Sequence, residues 1–124
     1  ADDAASATLR DGLERAAALA DVWHEDPDLT FPEVASQLGN DVTAARSVPA
    51  ALWAAAVADG ADEVLELALG VGGDADTIAA MAGAVAGAAV GAAGLPEDWV
   101  ARLENGPRGR RYARALAERI ATRP

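Results

Sequence analysis

A chain of 124 residues is long enough for one compact domain with a real core and too short for two comfortable ones. Twenty acids against ten arginines and no lysine leave a formal charge of −10, which argues against general nucleic-acid binding because phosphate contacts need a basic face. No cysteine is present, so disulfides, thiolate nucleophiles and zinc–cysteine sites are excluded, and nothing points away from a cytoplasmic protein.

The apolar half of the composition is dominated by Ala and Gly, which favour close helix–helix approach, and the expected fold class is all-α. The chain opens at Ala1 without a basic n-region and apolar stretch, so no signal peptide is expected. Ser6 to about His24 reads as a first helix, with Leu9, Leu13, Ala16, Ala20 and Trp23 on one face. Asp26-Pro27-Asp28 ends it. Thr30-Phe31-Pro32-Glu33 has the spacing of a capping box and starts a short helix that Gly39 stops. A polar loop follows, and Ser47-Val48-Pro49 is a second helix start, since proline is tolerated in a first turn. That helix runs to Ala58, the next from Ala61 to Leu69, and Gly70-Val71-Gly72-Gly73 makes a turn. From Asp74 a long helix runs to about Ala93. Pro96 starts a short helix carrying Trp99 and Leu103, and Pro107 or Gly109 starts the last. No stretch alternates at period two for long enough to be a strand. Residues 102–123 hold seven arginines against two acids, a basic island read as a solvated helix facing its own acidic body.

Ile78 to Leu95 is eighteen residues without a charge, with Gly83, Gly87 and Gly91 at small-xxx-small spacing. Its Ala/Gly content gains little on transfer to lipid and its ends lack an aromatic and basic belt. The expectation is therefore a buried central helix and no membrane partner. The glycine stripe would let a neighbouring helix pack backbone to backbone.

Gly70-Val71-Gly72-Gly73-Asp74-Ala75 matches a dinucleotide fingerprint on paper, but a helix precedes it where that motif needs a strand. Asp74-Ala75-Asp76 begins like a calcium loop, yet Ile78, Ala79 and Val85 stand where that loop needs a ligand, a glycine and a glutamate. Asp74, Asp76 and Thr77 remain, three hard oxygen donors within four residues, and such donors suit magnesium or manganese. A plain N-cap needs only one of them, and spacing alone favours the cap over the metal site. His24, the one histidine, sits at a helix end, where it is expected as a favourable C-terminal charge, and no Ser-His-Asp set can be assembled. Trp23, Trp53 and Trp99 fall at core-facing positions and are expected to pack.

Two stretches together resemble the ADP-ribosylglycohydrolase family. One is Gly72-Gly73-Asp74-Ala75-Asp76-Thr77 with the Ala/Gly helix after it and Leu95-Pro96-Glu97-Asp98-Trp99 beyond. The other runs from Leu38-Gly39-Asn40-Asp41-Val42-Thr43 to Ser47-Val48-Pro49-Ala50-Ala51, and looks closest to the branch that removes ADP-ribose from serine. The resemblance implies an orthogonal all-α bundle around the Ala/Gly helix, so that residues 1–124 form a single helical domain or the C-terminal fragment of a larger one. It places Asp74, Asp76 and Thr77 on the family's C-terminal metal ligands and Asn40, Asp41 and Val42 in a loop against ADP-ribose. It implies hydrolysis at the anomeric carbon of ADP-ribose, assisted by two Mg2+ ions, with Mn2+ a possible substitute.

Members of that family are about twice this length or more, and their N-terminal part carries a Gly-Asp-Asp-Thr metal motif that Gly39-Asn40-Asp41-Val42-Thr43 does not match. Three donors cannot hold two ions. The expectations are that the chain alone turns over no substrate, that it carries no catalytic residue besides these ligands, and that its partners are the missing N-terminal segment and ADP-ribose or an ADP-ribosylated protein. The glycine face of the central helix would be left exposed. A non-catalytic ADP-ribose-binding or scaffold relative is the alternative.

Overall fold

The computed structural model describes residues 2–123; Ala1 and Pro124, the ends of the expected domain, lie outside them. Those residues form seven α-helices and one 3-10 turn, with no strand among them: α1 (Asp2–Val22), α2 (Phe31–Leu38), α3 (Ala44–Val57), α4 (Ala61–Val71), α5 (Ala75–Val90), the 3-10 turn Ala92–Gly94, α6 (Glu97–Arg102) and α7 (Arg110–Ala121). The all-α class expected from composition is what the chain adopts. It divides into two compact units, Ala1–Gly94 and Leu95–Pro124.

In the first unit α3 has the most partners, packing against α1, α2, α4 and α5. Its buried positions include Pro49, Ala50, Ala51, Trp53, Ala54 and Val57. Ala50, Ala54, Ala68 and Ala82 are fully buried, so the interface is built from small side chains that bring backbones close. Larger side chains close it: Val34, Trp53 and Ile78 are sealed from solvent. Trp53 meets Trp23 edge to face, with ring centroids 4.8 Å apart, and Trp23 meets Phe31 at 5.6 Å, which ties the end of α1 and the start of α2 to α3. α2 begins with the expected capping box, Glu33 Oε2 accepting the Thr30 backbone N–H at 2.8 Å.

Several boundaries differ from the sequence reading. α4 runs through Gly70 and Val71, where a turn is expected, and only Gly72 and Gly73, both at positive φ, make that turn. α1 reaches back to Asp2. α3 begins at Ala44, not at Ser47, and carries Pro49 inside its second turn. The proline removes the N–H that would serve the Ala45 carbonyl, and α1 crosses at that point: a Cβ on Gly12 would stand 2.7 Å from Pro49 Cγ and 3.1 Å from the Ala45 oxygen. Tertiary packing therefore accommodates a proline that local rules would place at a helix start. α5 ends at Val90, because Gly91 takes φ 68° and its N–H closes on the Gly87 carbonyl at 2.9 Å.

α5 buries one stripe, Ile78, Ala82 and Ala86, against α3 and α4. A Cβ on Gly83 would touch Leu65, while Cβ atoms on Gly87 and Gly91 would meet nothing within 4 Å. The glycine stripe thus receives no neighbouring helix backbone from the described residues, and Val85 and Val90 beside it are more than two-fifths exposed.

In the second unit α6 and α7 are joined by a pinned loop. The Arg110 guanidinium donates to the Val100 carbonyl at 2.6 Å and its backbone N–H to the Glu104 carbonyl at 2.9 Å. α7 carries Tyr112, Leu116 and Ile120, one turn apart and exposed, among its arginines. No helix among the described residues is long and apolar enough to cross a membrane.

The crossing of α1 over α3 yields a stability test. Gly12→Ala gains about 1 kcal/mol of helix propensity but forces a methyl group into a proline ring and a backbone oxygen, which costs about 1–3 kcal/mol. The expected outcome is a lower midpoint in a thermal melt followed by circular dichroism, with helix content unchanged below the transition. An unchanged or raised midpoint would show that the crossing is loose.

Candidate functional site

Helix α4 stops at Val71, and Gly72 and Gly73, with φ of 73° and 66°, swing the chain round to Asp74 at the head of α5. The turn is held from outside by Asn40. Its Nδ2 donates to the Val71 carbonyl at 2.9 Å and its own carbonyl accepts the Asp74 N–H at 2.7 Å. Gly73 lies so close that any Cβ would overlap the Asn40 carbonyl and side-chain amide, and its left-handed φ also favours glycine. The two stretches singled out in the sequence, more than thirty residues apart, therefore meet at one residue.

Asp74 occupies the N-cap position of α5, yet its side chain makes no cap bond and has no hydrogen-bond or ion-pair partner among the described residues. The plain N-cap reading gets the position right and the chemistry wrong. Asp76 Oδ1 accepts the Thr77 N–H at 2.9 Å, and among the described residues neither its second oxygen nor the Thr77 hydroxyl has a hydrogen-bond partner. Asp74 is half-buried; Asp76 and Thr77 are exposed. Oxygen donors of this kind suit a hard divalent cation, and the glycine turn leaves backbone room around them. They fit a magnesium ion as part of a ligand set: no group of three or more His, Cys, Asp or Glu that could hold a metal is found among the described residues.

The loop before α3 is organised by Asp41. Its Oδ1 accepts the Thr43 N–H at 2.9 Å and hydroxyl at 2.6 Å, and its Oδ2 pairs with Arg46 Nε at 3.1 Å. The two Thr43 bonds, with a smaller contribution from Arg46, hold its carboxyl below the usual carboxylate value. Asp41 thus braces the start of α3, while Val42, 81% exposed, is the side chain the loop presents outward. Asn40, Asp41 and Val42 are therefore three different things: a clamp, a brace and a presented surface.

His24 lies just past the end of α1 and its Nε2 donates to the Val57 carbonyl at 2.9 Å. It serves a helix C-terminus, as expected of it, but that of α3. Trp23 and Trp53 pack in the aromatic cluster. Sequence reasoning missed the brace at Asp41 and the role of Gly73; the Asp-x-Thr spacing of Asp41 and Thr43 was the local signal for the first, and nothing in the sequence signalled the contact of Gly73 with Asn40.

A family model described as ADP-ribosylglycohydrolase matches residues 1–124. The chain is similar to the ADP-ribosylhydrolase ARH3 of Bos taurus, 37% identical over 86 residues, which covers 60% of this chain and 24% of that protein. The Danio rerio ARH3 is 36% identical over 87 residues, 61% of this chain and 24% of that protein. The ADP-ribosylarginine hydrolase Tri1 of Pseudomonas putida (strain GB-1) is 34% identical over 73 residues, 59% of this chain and 20% of that protein. The chain spans about a quarter of the length of these curated relatives. No solved structure matches it.

The brace at Asp41 has a pH signature. A carboxylate whose folded value is lowered stabilises the fold fully above its unfolded value, and that contribution disappears as pH falls through the lowered value. Urea titrations should show wild type losing more stability than Asp41→Asn as pH drops from neutral to below the ordinary carboxylate range. Parallel losses in the two proteins would mean that the Thr43 and Arg46 contacts do not persist in solution.

Proposed function

Because this chain belongs to the ADP-ribosylglycohydrolase family, we propose that it supplies the C-terminal half of the dinuclear magnesium site of a cytoplasmic ADP-ribosylhydrolase, which cleaves the glycosidic bond between ADP-ribose and a protein side chain or small acceptor. The observation that carries this reading is Asp74: an aspartate placed to cap a helix leaves its carboxylate unengaged, beside a free Thr77 hydroxyl and a free Asp76 oxygen.

Asp74, Asp76 and Thr77 are the residues that would hold Mg2+, and Mn2+ satisfies the same oxygen donors. An ion held there would offset negative charge on the departing acceptor atom and on an attacking water as the bond at the anomeric carbon breaks. The chain's own part is to keep three oxygens at the head of one rigid helix, so that little reorganisation is needed when they are used. Val42 presents an apolar side chain for ADP-ribose to lie against, on a loop that Asp41 and Asn40 hold in place. The remaining ligands would come from an N-terminal segment, as the family resemblance implies, and the 124-residue chain alone is expected to release no ADP-ribose.

A second reading is a non-catalytic ADP-ribose-binding or scaffold relative that keeps the fold. The two readings part experimentally. In the protein that joins this chain to its N-terminal segment, hydrolysis of an ADP-ribosylated protein should require magnesium, and Asp74→Ala should slow it at least about 100-fold, the equivalent of about 3 kcal/mol of lost charge stabilisation. Retained hydrolysis in Asp74→Ala would remove Asp74 from the metal site. Tight, magnesium-independent ADP-ribose binding without hydrolysis would favour the binding module.

A further inference from the structure

The geometry points to Asn40 as a positioning residue: its side-chain amide and backbone carbonyl set where the Asp74 carboxylate stands, and thereby make cation affinity at the aspartate turn depend on a residue that touches no cation. The inference rests on the proposed metal role of Asp74 and goes beyond it by assigning the control of that site to a different segment of the chain.

The turn between α4 and α5 has few restraints of its own. Gly72 and Gly73 hold its chain in left-handed conformations that glycine leaves as readily as it enters. Within the turn the backbone supplies Gly72 N–H to Leu69 carbonyl at 3.1 Å, and α5 proper begins only with Ile78 N–H on the Asp74 carbonyl at 3.0 Å. Between them, the bonds that hold Val71 and Asp74 to anything outside their own helices are those from Asn40, at 2.9 and 2.7 Å. The contact with Gly73 leaves no room for the turn to settle closer.

Asn40 is itself fixed. Gly39 before it closes α2 through its N–H on the Ala35 carbonyl at 2.8 Å, and Asp41 after it is tied to Thr43 and Arg46. A clamp anchored on both sides can impose position on what it grips. Since a side chain behind a metal ligand typically changes affinity 10–100-fold when removed, the same scale is expected here.

The test uses the 124-residue chain, Mn2+ as probe and nuclear magnetic resonance, with paramagnetic broadening of the Asp74 to Thr77 amides reporting binding. Wild type, Asn40→Ala, Asn40→Asp and Asp74→Ala are compared, with thermal midpoints recorded for each. The expected result is that Asp74→Ala abolishes the broadening and that both Asn40 variants weaken Mn2+ about 10-fold or more while still folded. Asn40→Asp is the sharper variant, since its added negative charge would tighten a cation if proximity of charge were all that mattered. Tighter binding in Asn40→Asp, or affinity within twofold of wild type in Asn40→Ala, overturns the positioning role and leaves the metal reading of Asp74 standing. Broadening that survives Asp74→Ala overturns the metal reading first and the positioning role with it. If the Asn40 variants do not fold, wild type decides: slow hydrogen exchange at the Asn40 side-chain amide and the Asp74 backbone amide supports the clamp, and fast exchange at both overturns it.

Discussion

The contact between Asn40 and the turn at residues 71–74 is the constraint on which the rest of the first unit depends. One residue there supplies a side-chain donor to the end of α4 and a backbone acceptor to the start of α5, while its neighbour Asp41 braces the start of α3. Three helix termini are thus referred to one short loop. Each hydrogen bond is worth only about 1 kcal/mol net, so the significance is geometric more than energetic. Helices packed through alanines can slide with little loss of buried area, and a polar clamp at their ends fixes the register that small side chains leave open.

Asp74 stands out against that background. An aspartate at an N-cap ordinarily accepts a first-turn N–H and stabilises its helix by about 1 kcal/mol, and here it does not. The helix starts instead on a backbone bond to its own carbonyl and on the clamp. Where a sequence supplies the right residue at the right place and the structure leaves it unengaged, a local rule is being set aside, which is the pattern expected where a side chain has other work. The free Thr77 hydroxyl one helical turn away repeats the pattern.

Much of the fold was legible because glycine and proline punctuate the chain: Gly39, Gly60, the Gly72-Gly73 pair, Pro96 and Gly109 each mark a helix boundary in the structure. Two of the misplaced boundaries share a cause. Pro49 reads as a helix start until α1 is seen crossing it, and Gly91 reads as a member of a stripe until its φ is known. Both answers lie in three-dimensional context, not in local spacing. The grouping of Asp74, Asp76 and Thr77 came from spacing, and the interest of Asn40, Asp41 and Val42 from resemblance. What neither could supply was the division of labour among those three, since it depends on hydrogen bonds to Val71 and Asp74 that join residues more than thirty positions apart.

The edge-to-face pair of Trp23 and Trp53 has a consequence for how order in this molecule can be observed. Two indoles fixed at a definite angle across the α1–α3 crossing give the core a chiral aromatic environment, visible in near-ultraviolet circular dichroism. A collapsed state that kept its helices but lost specific packing would retain the far-ultraviolet helical spectrum and lose this one. In a protein whose core is otherwise aliphatic, and therefore silent in the near ultraviolet, one aromatic junction makes the difference between helical and folded measurable.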